Sequence, residues 1–442
     1  MTDTQQIRLR TRTSRLGLRW WIGGLLFAST IINYLDRQTL SVLAPYLKLE
    51  YHWNNQNYAL IVIAFRVSYS VGQTLCGRLL DRWGTRRGLT LSVAFYSIVS
   101  MATSLATGLK SFVFFRFLLG LGESANWPAA TKVVSEWFPK QERGWAVALF
   151  DSGSSVGGAI APILIVWLYV LFGSWRPAFF LVGTLGLFWL LIWRRVYHRP
   201  EDHPGISAQE REMLLQDRVD DVSLSGMTLK ATLPPPRIKE LLALPQTWGV
   251  IAARALTDPV WFFVADWFAI YLGSRGFNPE STLLAFWIPF MAADLGNFFG
   301  GGISSWLIKR GWSVGWARKA VVIFGGVGIM ALIPATSASN LFTIAGLFAI
   351  ATFAYASFST MAIVLPSDLF KTESVASVSG MCGTAAGILT IVSTFLIGRI
   401  ADTYSFKPVL ITASFIPLLG AALVLLLVRN TKSSDQGHLR SI

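Results

Sequence analysis

YHRPEDHPGISAQEREMLLQDRVDDVSLSGMTLKATLPPPRIKELLALP, residues 197–245, is the one long polar interruption of the chain, and its position decides the fold. On either side the apolar residues come in long blocks, not in amphipathic stripes. A bilayer core takes roughly 20 apolar residues per helix. Blocks of that length lie at 20–42, 58–80, 89–107, 111–136, 145–171 and 174–195 before the interruption. They recur at 249–273, 281–304, 319–337, 341–364, 375–398 and 408–428 after it. The expected organisation is an N-terminal six-helix bundle (1–196), a linker (197–245) and a C-terminal six-helix bundle (246–442). Within the linker, Glu210 and Arg211 suit a short surface helix, and Pro234-Pro235-Pro236 a stiff extended connector. Composition agrees: 53% of residues are hydrophobic, 14% are charged and the mean hydropathy is +0.51. A soluble chain carries about a quarter charged residues. The first block is too long for a signal-peptide core and lacks a small-residue cleavage site, so it is expected to be retained.

Lys+Arg number 38 against 24 Asp+Glu, a net +14, and the position of these charges excludes a nucleic-acid role. Arg8, Arg10, Arg12, Arg15 and Arg19 precede the first span. Arg82, Arg86 and Arg87 follow the second, and Lys140 and Arg143 the fourth. Arg194, Arg195, Arg199, Arg211, Arg218, Lys230, Arg237 and Lys239 follow the sixth. Lys309, Arg310, Arg318 and Lys319 follow the eighth, and Arg429 and Lys432 the twelfth. The alternate loops hold only isolated cations such as Lys48, Lys110, Arg176, Arg275 and Lys407. Cytoplasmic loops carry the Lys/Arg excess, so both termini and the linker are expected in the cytoplasm. Cys76 and Cys382 fall inside spans and offer neither a disulfide framework nor metal spacing. His52, His198, His203 and His438 all lie in polar segments, so a proton relay inside the membrane must use carboxylates.

An ionised side chain at the bilayer centre costs at least about 2.5–3.5 kcal/mol, so each one needs a reason. Asn33 and Arg37 are four apart and share a helix face, with Asp36 at its edge. Arg66, Tyr69 and Gln73 form one stripe of span 2, and Arg116 and Glu123 stand two turns apart on span 4, with Asn126 beyond. Asp151 lies on span 5, Arg254, Asp258 and Asp266 on span 7, and Asp294 with Asn297 on span 8. Lipid does not tolerate such faces, so they are expected to line a wet interior. Arg254 with Asp258, and Asp294, suit internal ion pairs as well as function, and Asp266 suits the outer end of span 7. Several buried arginines need counter-charge, which an anionic substrate supplies. The arginine fork matches a carboxylate, favouring organic acids over neutral sugars. Burial disfavours a charged carboxyl, so Asp36 and Glu123 suit the carriage of coupling protons.

The segment Gly77-Arg-Leu-Leu-Asp81-Arg82-Trp-Gly84-Thr-Arg86-Arg87 after span 2 is similar to the loop motif of the major facilitator superfamily. Its degraded second copy starts at Gly301, with Ser305 where the acid would stand. Two sets of six spans around a cytoplasmic linker is also that superfamily's arrangement. The resemblance implies an all-α membrane protein with 12 transmembrane helices in two six-helix bundles. It implies too a cytoplasmic gate of Gly77, Asp81, Arg82, Gly84, Arg86 and Arg87. In that gate Asp81 would hold the inward side closed against basic groups or a helix N-terminus.

Asn33-Tyr34-Leu35-Asp36-Arg37, Arg116 with Glu123, and Glu136-Trp137-Phe138-Pro139 with Glu142-Arg143 resemble the anion:cation symporter family. Gly153-Ser-Ser-Val-Gly157 with Ala161-Pro162, and Arg254 with Asp258-Pro259 and Trp261, resemble its hexuronate-transporter branch. So do Ala293-Asp294-Leu295-Gly296 and Ser367-Asp368-Leu369-Phe370, and the likeness runs through both halves. It implies proton-coupled uptake of a sugar acid or related organic anion across the inner membrane by alternating access. Protons would bind Asp36 and Glu123. The anion would bind Arg37, Arg66, Tyr69, Arg116 and Arg254, with Asn33 and Gln73 lining its site. Arg66 and Asp151 depart from the branch, where an uncharged residue and Asn are usual. An organophosphate or other organic-anion antiporter of the same superfamily would also use Arg37 and Arg254, but would need no pH gradient. The expected partners are the small organic anion, protons and the lipid bilayer, with no nucleic acid, cofactor or metal, and the chain is expected to act as a monomer.

Enzyme-like motifs fail on context. Gly153-x-Ser155-x-Gly157 mimics a nucleophile elbow but lies in a span with no membrane-embedded histidine. Gly120-x-Gly122-x-x-Ala125 mimics a dinucleotide fingerprint without the preceding strand. Both read as close-packing features. No ATP-binding loop of the G-x-x-x-x-G-K-[ST] type occurs. Trp20, Trp21, Trp189 and Trp193 suit lipid-facing or interfacial positions, whereas Trp127 and Trp261, near the charged stripes, suit stacking on a sugar ring. Pro45, Pro128, Pro162, Pro259 and Pro289 are expected to kink their spans.

Overall fold

The computed structural model describes residues 17–214, 235–277, 279–428 and 439. Arg8, Arg10, Arg12, Arg15, Arg218, Lys230, Pro234, Arg429, Lys432 and His438 lie outside the described residues. Among those described, the chain is helical with no strand. Six passes precede the linker: Leu18–Tyr51, Asn55–Trp83, Thr85–Thr103, Leu109–Glu123 continued by Asn126–Trp137, Arg143–Phe172 and Arg176–Val196. Six follow it: Pro245–Ala255 continued by Asp258–Ser274, Pro279–Lys309, Val314–Ala335, Leu341–Leu369, Thr372–Thr403 and Phe406–Leu427. They are spans 1 to 12 below.

Eight of these are long and apolar enough to cross a membrane by their own composition. The other four, spans 1, 3, 4 and 8, do not reach that measure over their described residues. Span 1 holds Asn33, Asp36 and Arg37, span 3 opens on Arg86 and Arg87, span 4 is broken, and span 8 holds Asp294 and Asn297. Several helices outrun the hydrocarbon. Span 1 has 34 residues, about 50 Å at 1.5 Å per residue, against a core of about 30 Å. Asn54 caps span 2 by accepting from the Asn57 amide, and Gly84 turns into span 3 at a positive φ that a side chain would strain. Helices continue through Pro45, Pro162 and Pro289 but are interrupted just before Pro128 and Pro259. A proline interior to a helix removes one backbone bond and crowds the preceding turn. In spans 4 and 7 that break falls beside Glu123 and Asp258.

The two halves repeat one packing scheme. Span 1 lies on span 5, 2 on 4 and 3 on 6, and likewise 7 on 11, 8 on 10 and 9 on 12. Glycines set the close approaches. A Cβ at Gly153 would sit 2.6 Å from the Phe27 carbonyl oxygen, and one at Gly157 2.8 Å from that of Ile31. Gly122 packs equally tightly on Tyr96, so the elbow-like and fingerprint-like motifs are packing features. The outer surface is apolar, with Ile63, Phe114, Ile163, Phe188 and Leu419 exposed, as lipid contact requires. Trp21 belongs to that surface, but Trp189 and Trp193 do not. They are 4% and 0% exposed and stack at 5.1 Å, and Trp189 donates to the Leu25 carbonyl oxygen. Protein and lipid are equally apolar neighbours, so hydropathy alone misplaces them.

Between the halves, span 2 lies against span 11, span 5 against span 8, and the second part of span 4 against span 11. On the side of the linker these contacts are backbone to backbone. No Cβ fits at Gly77, which faces the Ala376 carbonyl, at Gly380, which faces that of Gln73, or between Gly144 and Gly301. Further out, the Thr384 hydroxyl donates to the Ser70 carbonyl at 2.6 Å and meets that of Thr74 at 2.7 Å. Beyond Ser70, side chains bridge the halves. The molecule is closed on the linker side.

Candidate functional site

The break in span 4 leaves Glu123 at a helix end facing span 1. Its Oε2 lies 2.6 Å from Arg37 Nε, with the carboxylate fully buried and the arginine side chain 20% exposed. Four rings enclose the guanidinium: Tyr69 at 4.3 Å, Tyr34 at 5.2 Å, Phe65 at 5.3 Å and Trp127 at 5.7 Å. Asp36 is buried and accepts from the Ser100 hydroxyl. Arg116 is 3% exposed and lies within electrostatic range of Asp36 and Glu123. Two acids and two arginines thus make a buried cluster of balanced charge. Among the described residues, Asp36 Oδ2, Glu123 Oε1, Arg37 Nη2 and Arg116 Nε and Nη2 make no hydrogen bond to another protein group.

The C-terminal half presents a second charged face. Arg254 Nε pairs with Asp258 Oδ2 at 3.2 Å, and the Tyr355 hydroxyl donates to Asp258 Oδ1 at 3.4 Å. Trp261 lies parallel to Tyr355 at 5.9 Å. Two carboxylates bridge the halves. Asp151 accepts from Trp127 Nε1 and from Asn297 Nδ2, both at 3.2 Å, and Asp294 accepts from the Ser155 hydroxyl at 2.6 Å. Trp127, 6% exposed, is engaged with Asp151 and Arg37, while Trp261 is half-buried.

The stripe on span 2 divides its work. Tyr69 faces Arg37, but Arg66 reaches across to Asp266 on span 7, with Nη2 at 3.0 Å from Oδ2. Asp266 is therefore the partner of Arg66 and not simply a residue at the outer end of its span. Gln73 is 3% exposed and packs against Gly383 of span 11. Within the loop motif, Asp81 accepts from Lys132 Nζ at 2.7 Å and from the span 11 amides of Ser377 at 2.7 Å and Ala376 at 3.3 Å. Arg82, Arg86 and Arg87 are exposed, and the Arg86 guanidinium donates to the Arg194 carbonyl.

A second linker-side lock lies outside the loop motif. Asp368 Oδ1 pairs with Arg143 at 2.9 Å and Oδ2 with Arg318 at 2.8 Å, and all three side chains are at most 1% exposed. Arg143 also donates to the Ser367 carbonyl, and Arg318 to that of Lys140, so the lock joins both halves. An internal repeat signals it. Ser135-Glu136-Trp137-Phe138 at the end of span 4 matches Ser367-Asp368-Leu369-Phe370 at the end of span 10. Glu136 accepts from Thr85 at the head of span 3, as Asp368 does from Arg318 near the head of span 9.

Residues 26–381 match the family model described as Major Facilitator Superfamily. The hexuronate transporter of Escherichia coli (strain K12) is 31% identical over 422 residues, covering 94% of this chain and 95% of that protein. The galacturonate transporter of Dickeya chrysanthemi is 32% identical, covering 70% of this chain and 89% of its own. A proton:xylose symporter structure superposes with a TM-score of 0.72 at 15% identity, covering 95% of this chain and 98% of that one, which speaks for the fold alone. Twelve helical passes, the repeated packing of the halves and these likenesses agree: the chain belongs to the major facilitator superfamily, as a multi-pass membrane transporter and not an enzyme.

Proposed function

We propose that this protein takes up a sugar acid, a hexuronate or aldonate, together with protons by alternating access. The observation that carries the reading is the buried Arg37–Glu123 pair inside its ring of aromatic side chains. A carboxylate already holds this arginine, through Nε. Protonation of Glu123 removes that negative charge, and a substrate carboxylate can then take its place on Arg37. The proton on Glu123 and the anion thus enter together without changing the charge of the cluster, which avoids the cost of burying added net charge. Asp36 is the second proton site, buried beside the first. Tyr69 and the aromatic walls accommodate the sugar ring, and Arg116 and Arg254 supply further positive potential.

The two bundles, 1–196 and 246–442, rock about this site, with residues 197–245 as connector. The linker side and both termini face the cytoplasm, the membrane is the inner membrane, and the working unit is the monomer. The relatives named above for hexuronate and galacturonate support the substrate class. An organophosphate exchanger would use Arg37 and Arg254 as free forks, but here each is held by a carboxylate that can carry a proton. The test is uptake of labelled glucuronate, galacturonate and galactonate into proteoliposomes, with and without an inward proton gradient. Gradient-driven accumulation of one of them is expected. Equal uptake with and without the gradient would defeat proton coupling, and uptake of none would defeat the substrate class.

A further inference from the structure

The ion pair between Arg66 and Asp266 stands apart from the central cluster, on the side of the molecule away from the linker. Arg66 Nη2 lies 3.0 Å from Asp266 Oδ2 and 3.3 Å from Oδ1. The guanidinium also lies 5.7 Å from the centre of the Phe262 ring, one turn earlier on span 7. The two side chains are 32% and 30% exposed, unlike the buried groups around Arg37. One turn along span 2, Ser70 is the outermost point of the Thr74–Thr384 contact, so the pair bridges the halves where they begin to part. Pairs this exposed hold weakly, and salt screens them. The guanidinium has five N–H donors, and its contacts with Asp266 all run through Nη2, so Nε and Nη1 can take an incoming carboxylate before the first is released.

We propose that Arg66 is a peripheral carboxylate site at the mouth of the transport path. Asp266 occupies it at rest, and an arriving organic anion displaces Asp266 and so unlatches the two halves. The carboxylate seen on Arg66 is the stand-in for the ligand: the same group, delivered by the facing helix. The identity of the ligand rests on the organic-anion reading above, whereas the latch itself does not. Asp266 competes with the substrate for Arg66. Removing it is expected to loosen the latch and favour capture, and removing Arg66 to loosen the latch and abolish capture. Exchanging the two charges restores the latch but puts a carboxylate where the substrate must bind.

The experiment uses the full chain with Cys76 and Cys382 replaced by alanine and spin labels at Leu105 and Tyr404. Both positions are exposed in loops of the outer side, one in each half. Distance distributions are recorded for the parent, Arg66→Gln, Asp266→Asn and the exchange Arg66→Asp/Asp266→Arg, in chloride and in glucuronate or galactonate of equal ionic strength. In chloride both single variants should shift to longer distances, and the exchange should return to the parent distribution. In the organic anion the parent should open and Arg66→Gln should not respond further. In uptake, the KM should fall for Asp266→Asn and rise about fivefold or more for Arg66→Gln and for the exchange. Unchanged distances in both single variants would overturn the latch. A parent that ignores both anions, or an exchange variant with parental KM, would overturn the carboxylate site even if the latch stands.

Discussion

Glu123 and Arg37 illustrate how much a single buried pair can decide. Removing one partner of a buried ion pair leaves the other unpaired, at about 3–5 kcal/mol. Glu123→Gln keeps the shape and one acceptor but cannot exchange a proton. The variant is expected to lose gradient-driven accumulation while still exchanging labelled for unlabelled substrate down its gradient. Uphill uptake at the parental level would remove Glu123 from coupling. The sequence shows this cluster well, because Asn33, Asp36, Arg37, Arg116 and Glu123 stand in spans where charge is expensive. It shows Arg254 with Asp258 for a simpler reason, a spacing of four on one helix. It cannot show that Arg66 meets Asp266, 200 residues away. Nor can it show that Gln73 turns into span 11, because both contacts depend on how the two halves dock.

At the scale of helices, spans were legible because hydrocarbon thickness dictates their length. Their ends were not: beyond the hydrocarbon, hydropathy exerts no demand, and span 1 runs to Tyr51 where its apolar block stops at residue 42. The breaks in spans 4 and 7 follow from Pro128 and Pro259, yet Pro45, Pro162 and Pro289 sit inside continuous helices. Proline marks where a break is possible, and neighbouring packing selects where it occurs. The head of span 11 carries a prediction of its own. Asp81 takes two of its backbone amides across the interface while Lys132 holds it from within its own half. Hydrogen bonds to a charged group are worth about 1.5–3 kcal/mol. Asp81→Asn should therefore raise the population open on the linker side roughly 10- to 100-fold. Alkylation of a cysteine placed at Ser377 reads this. A rate unchanged from the parent cysteine background would show that Asp81 does not hold the interface.

For the whole molecule, the question is whether the two halves behave as rigid bodies with a contact that forms and breaks. Close glycine contacts of two kinds separate the possibilities. Gly157 packs on Ile31 within the N-terminal half, where a Cβ would sit 2.8 Å from a carbonyl oxygen. Gly144 packs on Gly301 across the halves, also at 2.8 Å, beside the buried Arg143–Asp368–Arg318 lock. The local crowding is alike, and overpacking a contact of this kind costs about 1–3 kcal/mol. What differs is whether the protein can escape it. A leucine at Gly157 cannot be relieved without opening the bundle itself, so Gly157→Leu should lower the Tm and the yield of folded protein. A leucine at Gly144 is relieved as soon as the halves part on the linker side. Gly144→Leu should therefore keep a near-parental Tm, bind substrate from the linker side and fail to complete the transport cycle. Equal loss of Tm in both variants would mean that the contact at Gly144 belongs to the folded core and not to a gate, and the rocking motion would need another interface.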